Sequence, residues 1–156
     1  MENIRQASEG DVSRIAEILI FSKRVNYRAI FENDLVSFGE MQVCPLAQSL
    51  LQDPAVLHRY WVYDDGIVKG LVCIEGDEVR ELYVEPFFTG CGIGARLLRF
   101  AAEKKGCRRL WVLEKNLRAI RFYRRNGFEP TGAHRIQPGT TETVILLERS
   151  AAPLPR

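Results

Sequence analysis

Histidine is scarce in this sequence: the 156 residues include two, His58 and His134, neither with a second ligand-type side chain at coordination spacing, so no resident metal is expected. The four cysteines, Cys44, Cys73, Cys91 and Cys107, lie far apart without a C-x-x-C pair, and three sit in or beside apolar runs. Reduced, mostly buried thiols are expected rather than disulfides or zinc. No apolar run approaches the roughly 18 residues of a membrane span. The N-terminal MENIRQASEGD has neither the basic start nor the apolar stretch of a secretory signal. A cytoplasmic protein without a membrane partner is the expectation. Internal repeats and low-complexity segments are also missing, apart from Ser150 to Arg156 (SAAPLPR), whose two prolines predict a disordered tail behind a single domain over 1–149.

What is present is ordinary in amount and uneven in placement. The hydrophobic fraction of 46% and charged fraction of 27% fit a soluble globular chain with one core. Net charge is only +2, yet Arg96 to Arg125 carries eleven Lys or Arg against two acids, while residues 1–95 carry eight against fifteen. A basic segment of this kind suits a polyanion, either nucleic acid or the phosphates of a nucleotide cofactor, and a solvated helix face is the plainer reading of the same charges.

The patterning predicts an order of elements. A short alternating stretch surrounds Ile4, and Val12, Ile15, Ala16 and Leu19 recur at helical spacing within a helix from Asp11 to about Lys23. Pro45 is expected to start a short helix through Leu51, with Asp53-Pro54 ending it. Three strands follow, Tyr60–Tyr63, Ile67–Ile74 and Val79–Val84, joined by Asp65-Gly66 and Gly76-Asp77 turns as antiparallel hairpins. A glycine-rich loop from Phe88 to Gly94 leads into a helix with Leu97, Leu98, Ala101 and Ala102 on its apolar side, stopped by Gly106. Leu110–Leu113 reads as a buried strand, and residues from Asn116 to Arg125 as a helix capped by Gly127. Strands around Gly132–Ile136 and Thr143–Leu147 complete the chain. The fold class expected is α/β (α+β), a mixed sheet with helices on both faces.

Thr89-Gly90-Cys91-Gly92-Ile93-Gly94-Ala95 joins a strand to a helix. Backbone N–H groups and the positive end of the helix dipole can converge there on an anion, and glycines let the main chain approach it closely. A tight connection that needs positive φ explains the glycines without any ligand. Gly90, Gly92 and Ala95 also fit G-x-G-x-x-A, with Glu114 placed 22 residues after Gly92, as a dinucleotide-binding unit requires. Against that stand the five residues between Val84 and Gly90, the antiparallel strands upstream, and too little chain downstream for a second nucleotide-binding half.

Glu81-Leu82-Tyr83-Val84-Glu85-Pro86, Gly90-Cys91-Gly92-Ile93-Gly94, and Asn116-Leu117-Arg118-Ala119-Ile120-Arg121-Phe122-Tyr123 followed by Asn126-Gly127-Phe128 together resemble the GNAT-type N-acetyltransferase superfamily. The resemblance runs over about residues 4–148. It implies a mostly antiparallel central sheet of about seven strands, with acetyl-CoA as cosubstrate. It also implies an acetyl group moved to an amine by direct attack in a ternary complex. Carried over, Leu82, Tyr83 and Val84 offer main-chain groups to the pantetheine arm and acetyl carbonyl, residues Thr89, Gly90, Cys91, Gly92, Ile93, Gly94 and Ala95 cradle the phosphates, Asn116 hydrogen-bonds the arm, Ala119 leaves room for it, and Tyr123 stands near the sulfur. Thr89 departs from the family's pattern, which has Arg or Gln there; Arg96, Arg99 and Arg125 are candidates to supply the missing charge.

The chemistry asks for further groups. A lysine amine, with a pKa near ~10.4, must lose a proton before it can attack. Glu78 and Glu81 are the candidate bases, and being three apart on one strand they project to opposite faces. The Val84 N–H is the candidate oxyanion donor. Tyr123 is the candidate acid for the leaving thiolate, an amphipathic core tyrosine being its plainer reading. The expected partner is a small-molecule or peptide amine, cationic if the acidic surplus of residues 1–95 steers it; a homodimer is left open and nucleic acid is disfavoured. A CoA-binding regulator without turnover, and then a dinucleotide- or nucleic-acid-binding domain, are the alternatives.

Overall fold

The computed structural model describes residues 3–31, 49–50 and 52–150. The expected tail beyond Ser150, most of the expected Pro45–Leu51 helix, and Cys44 lie outside them. Seven strands, β1 (Ile4–Gln6), β2 (Tyr60–Asp64), β3 (Val68–Glu75), β4 (Glu78–Val84), β5 (Arg109–Leu113), β6 (Phe128–Ile136) and β7 (Thr143–Arg149), form one sheet in the order β1-β2-β3-β4-β5-β7-β6. The α-helices among the described residues are α1 (Val12–Phe31), α2 (Pro54–Leu57), α3 (Ile93–Lys105) and α4 (Leu117–Arg125), and residues 49–50 and 52 are helical as well. Among the described residues, no helix is long and apolar enough to cross a membrane.

The chain divides into two compact units, Met1–Cys73 with Glu81–Leu97, and Ile74–Arg80 with Leu98–Arg156. In the first, α1 buries the residues its spacing predicts: Val12, Ile15, Ala16 and Leu19 are each at most 2% exposed, and they join Leu57, Val62 and Leu71 in the core. Each fully buried Val, Leu or Ile contributes about 1.5–3 kcal/mol. The helix begins one residue later than expected, because Asp11 ends a short 3-10 turn, and it runs on to Phe31. Asp11 closes the turn through its carboxylate, which accepts the Ser8 N–H at 2.8 Å.

Residues 49–50 and 52 are helical and Asp53 is not, so Asp53-Pro54 ends a helix as expected, and it also starts a second one. The Asp53 carboxylate accepts the Val56 N–H, and Pro54 sits in the first turn, where an absent N–H costs nothing. β1 and β3 pair antiparallel with β2, with a register shift at Tyr63/Asp64. Gly70 is a close-approach position: a Cβ there would lie 3.0 Å from Leu97 Cδ1, 3.1 Å from Ile93 Cγ2 and 3.2 Å from the Tyr83 carbonyl oxygen. Its bare backbone lets the start of α3 lie against the sheet.

In the second unit Leu98, Ala101, Leu110, Phe128 and Leu147 are at most 1% exposed. The last turn of α3 is tied down by Arg149, whose guanidinium donates to the carbonyls of Cys107 at 2.6 Å and Ala102 at 3.2 Å, a cation at the negative end of the helix dipole. β5 and β6 both pair antiparallel with β7, and a register shift between Pro130 and His134 marks β6, which begins four residues earlier than expected and is exposed along most of its length. β4 and β5 are parallel, and their ladder holds only two pairs, Glu78↔Arg109 and Val79↔Leu110.

Candidate active site

β4 carries the first group of candidate residues, and its short ladder with β5 decides what they can do. Beyond Val79 the strand continues through Glu81, Leu82, Tyr83 and Val84, outside that two-pair ladder. The chain then makes a 3-10 turn, Pro86–Phe88, fixed by the Glu85 carboxylate accepting the Phe87 N–H at 2.8 Å. Thr89 closes the turn: its hydroxyl donates to the Pro86 carbonyl at 3.0 Å. The residue that departs from the GNAT pattern thus has a local structural task.

Gly90 and Gly92 have φ of +84° and +81°. A side chain at either would be forced into the left-handed region, which non-glycine residues rarely occupy, so the turn needs glycine at both. α3 starts at Ile93, and the Arg96 N–H to Gly92 carbonyl bond of 3.1 Å belongs to its first turn. The N–H groups of Ile93, Gly94 and Ala95 have no acceptor within the helix, and the helix dipole adds positive potential there. Of the described cysteines, Cys73 and Cys107 are buried, in line with mostly buried thiols, and Cys91 is exposed between the two left-handed glycines. Arg96, a candidate phosphate ligand, donates to the Tyr63 hydroxyl at 3.0 Å.

The candidate carboxylates have different neighbours. Glu81 accepts from the Lys23 ammonium of α1 at 2.9 Å, each side chain about a quarter exposed (25% and 23%). Tyr60 belongs to the same unit, and burial, then Cys73, then Glu81, pushes its phenol far above the ordinary tyrosine range, so it stays a neutral hydroxyl. Glu78 lies in the other unit and meets Arg80 at 3.3 Å.

The third group sits on and before α4. Asn116 is its N-cap, the side-chain oxygen accepting the Ala119 N–H at 3.2 Å, which commits that oxygen to the helix and leaves the NH₂ as the group Asn116 can offer a ligand. Tyr123 is half-buried and stacks edge-on against Phe122 (5.3 Å) and the fully buried Phe128 (6.4 Å). Its ring is therefore held by packing. The helix ends where the Gly127 N–H reaches the Arg124 carbonyl at 3.2 Å, as the glycine predicted.

A second charged depression, of about 450 Å³, is lined by Arg5, Asp11, Arg14, Asp64 and Ile67 among others. Arg5 is clamped by Asp11 (2.7 and 2.9 Å) and Asp64 (3.0 Å), which leaves little charge for a ligand.

A family model for the acetyltransferase (GNAT) domain matches residues 57–130, which hold β4, the glycine loop, α3 and α4. This segment carries the GNAT acetyltransferase signature. An uncharacterized N-acetyltransferase of Methanocaldococcus jannaschii is 47% identical over 57 residues, 33% of this chain and 25% of that protein. The peptidyl-lysine N-acetyltransferase YjaB of Escherichia coli is 30% identical over 67 residues, 43% of this chain and 46% of that protein. The matches thus span less than half the length of either curated relative. The solution structure of apo YjaB shares the fold with a TM-score of 0.70 at 21% identity, covering 96% of this chain and 97% of that one. The structure of yncA, a putative acetyltransferase from Salmonella typhimurium with its cofactor acetyl-CoA, does so with a TM-score of 0.60 at 21% identity, covering 96% of each chain. The mixed seven-stranded GNAT sheet expected from the resemblance is the one observed. The dinucleotide reading fails on topology: its loop does not start where β4 ends, and antiparallel pairs flank the strands it would need.

Lys23, Gly70 and Arg149 are the residues that reading the sequence missed. Gly70 lies inside a strand pattern, where an isolated glycine is a known signal of close backbone approach. Lys23 and Arg149 carry no such local signal.

Proposed function

We propose that the chain is a cytoplasmic N-acetyltransferase that moves the acetyl group of acetyl-CoA to a primary amine by direct attack in a ternary complex. The observation that carries the reading is the pair of left-handed glycines opening a 13-residue helix inside the segment that matches the GNAT domain. A side chain at either glycine would stand where phosphates approach the loop, so the cradle fits the cofactor's pyrophosphate. Acetyl-CoA, when bound, supplies the activated thioester. Backbone groups of Leu82, Tyr83 and Val84 hold the pantetheine arm, and the Val84 N–H stabilises the oxyanion by about 2.7–4 kcal/mol if it acts as other oxyanion donors do. The NH₂ of Asn116 hydrogen-bonds the arm, and Ala119 leaves space for it. Glu81 takes the amine's proton, and Glu78 is the second candidate for that role. Tyr123 protonates the leaving sulfur. The free thiols of Cys73, Cys91 and Cys107 suit a reducing compartment. A lysine-type acceptor is supported by the acidic surplus of residues 1–95 and by the peptidyl-lysine activity in YjaB's name.

The test is thermal stabilisation by acetyl-CoA together with thiol release over amines, polyamines and lysine peptides. At a hundredfold excess over its dissociation constant, acetyl-CoA should stabilise the fold by about 2.7 kcal/mol, and NADH should not. Stabilisation without turnover on any amine would make the chain a CoA-binding regulator instead. Tyr123→Phe keeps the ring contacts with Phe122 and Phe128, so its melting temperature should hold while kcat falls by roughly 10²–10⁴-fold. An unchanged kcat with rate-limiting chemistry removes Tyr123 from the mechanism.

A further inference from the structure

The carboxylate proposed to deprotonate the acceptor already holds a primary amine. Lys23 Nζ donates to Glu81 Oε1 at 2.9 Å, across 58 residues of sequence, and neither side chain is sealed from solvent. An acceptor amine would need this same contact with Glu81 in order to lose its proton. The backbone of Leu82 to Val84, proposed to receive the acetyl carbonyl, lies one to three residues along the same strand, about 3–10 Å at ~3.3 Å per residue. That span is within the sweep of the four-carbon lysine arm. The neighbouring Tyr60 hydroxyl is kept neutral by burial and does not compete with Glu81 for the proton.

The geometry points to Lys23 as a self-acetylation site, modified in cis by the protein's own transfer chemistry; the inference rests on the acetyltransferase reading above. Glu81 takes a proton from the Lys23 ammonium, the neutral Nζ attacks the thioester carbonyl, a C–N bond forms and the C–S bond breaks. The thiol leaves as CoA-SH, and one net proton is released to solvent. Nothing is oxidised or reduced, and no co-reactant beyond acetyl-CoA is needed. The product is an uncharged acetamide, which removes the cation from Glu81.

Lys69 and Lys115 provide internal controls, since each is also paired with a carboxylate, Asp65 at 2.9 Å and Glu142 at 3.1 Å, but neither carboxylate is a proposed base. The full chain is incubated with acetyl-CoA and no added amine, then followed by intact mass and peptide mapping. The expected result is one acetyl group on Lys23, formed at a rate per molecule that does not change on dilution of the protein, with Lys69 and Lys115 modified only at the background of solution chemistry. Glu81→Gln should slow the modification of Lys23 by roughly 10²–10⁴-fold. Lys23→Arg should abolish it while keeping the charge beside Glu81 and the melting temperature. Even spreading of acetyl over the lysines, or an undiminished rate in Glu81→Gln, overturns the proposal. If thiol release with an added amine proceeds while Lys23 stays unmodified, self-acetylation is wrong and the acetyltransferase reading survives. If acetyl-CoA neither binds nor gives its acetyl group to any amine, both are wrong.

Discussion

The glycine loop and the Arg5 depression both gather positive potential, and they treat it in opposite ways. At the depression a guanidinium is wrapped by two carboxylates, so the charge is spent on the fold. At the loop the potential comes from N–H groups that the helix leaves without acceptors, and no side-chain cation is needed to hold the shape. The difference teaches how to separate a structural charge from a binding one: it lies in whether local partners have consumed the hydrogen-bonding capacity, and net charge says nothing about it. Arg96 stands between the cases, with one donor given to Tyr63 and others remaining.

Breaking the loop should give the largest effect. Gly92→Val puts a β-branched side chain at φ +81° and into the space where the proposed cofactor's phosphates would lie, a strain of about 1–3 kcal/mol before any ligand is lost. Acetyl-CoA affinity, read by calorimetry, should fall by at least roughly tenfold, while the helix content remains. Normal affinity would mean that the loop is only a connection.

Asp11→Ala breaks the other side of the comparison. It removes the turn closure and leaves Arg5 with one carboxylate, so stability to urea should fall by about 0.5–2 kcal/mol with acetyl-CoA affinity unchanged. Acid should act at the same place. Arg5, followed by the Ser8 backbone N–H, holds the Asp11 carboxyl below its ordinary range, so the unfolded chain binds the proton first. The contribution of Asp11 is therefore complete above the ordinary aspartate value of about 3.9 and drains away as pH falls from there through the lower folded value. Urea midpoints of wild type and Asp11→Ala should converge at low pH; a constant gap would show that the ion pair is not what Asp11 contributes.

The smallest effect is expected at Thr89, where the comparison can be sharpened. Thr89→Arg adds to the loop the kind of cation the Arg5 site has, and should tighten CoA binding a few-fold through new phosphate contacts. It also deletes the hydroxyl bond to Pro86, worth about 0.5–1.5 kcal/mol. Weaker binding in a titration would show that the shape of the turn matters more than the added charge.

The loop and the helix end near it were legible because their rules are local. A strand-to-helix loop is announced by alternate glycines and a helix end by the glycine that follows it, each within a few residues. The loop from Gly90 to Gly94 and the helix end at Gly127 therefore stand where the pattern put them. The Asp53-Pro54 step ends the helical residues before it, as expected, but it also begins a second helix that the pattern did not announce, because proline can do either. What marks that start is the Asp53 side chain bonding three residues ahead.

By itself, then, the sequence determined the order of the strands and the longer helices, the apolar face of α1, and the glycine loop on which the acyl-donor reading rests, because hydrophobic period and positive φ act over one or two turns of chain. Only the tertiary structure decided that Lys23 meets Glu81, that Gly70 admits the side chains of Ile93 and Leu97, that Arg149 closes the end of α3, and that the ladder of β4 with β5 stops after two pairs. The physical reason is common to all four. Each is a contact across 23 to 58 residues, set by strand order and by which way a side chain faces once the sheet has formed, and nothing in the neighbouring residues encodes it.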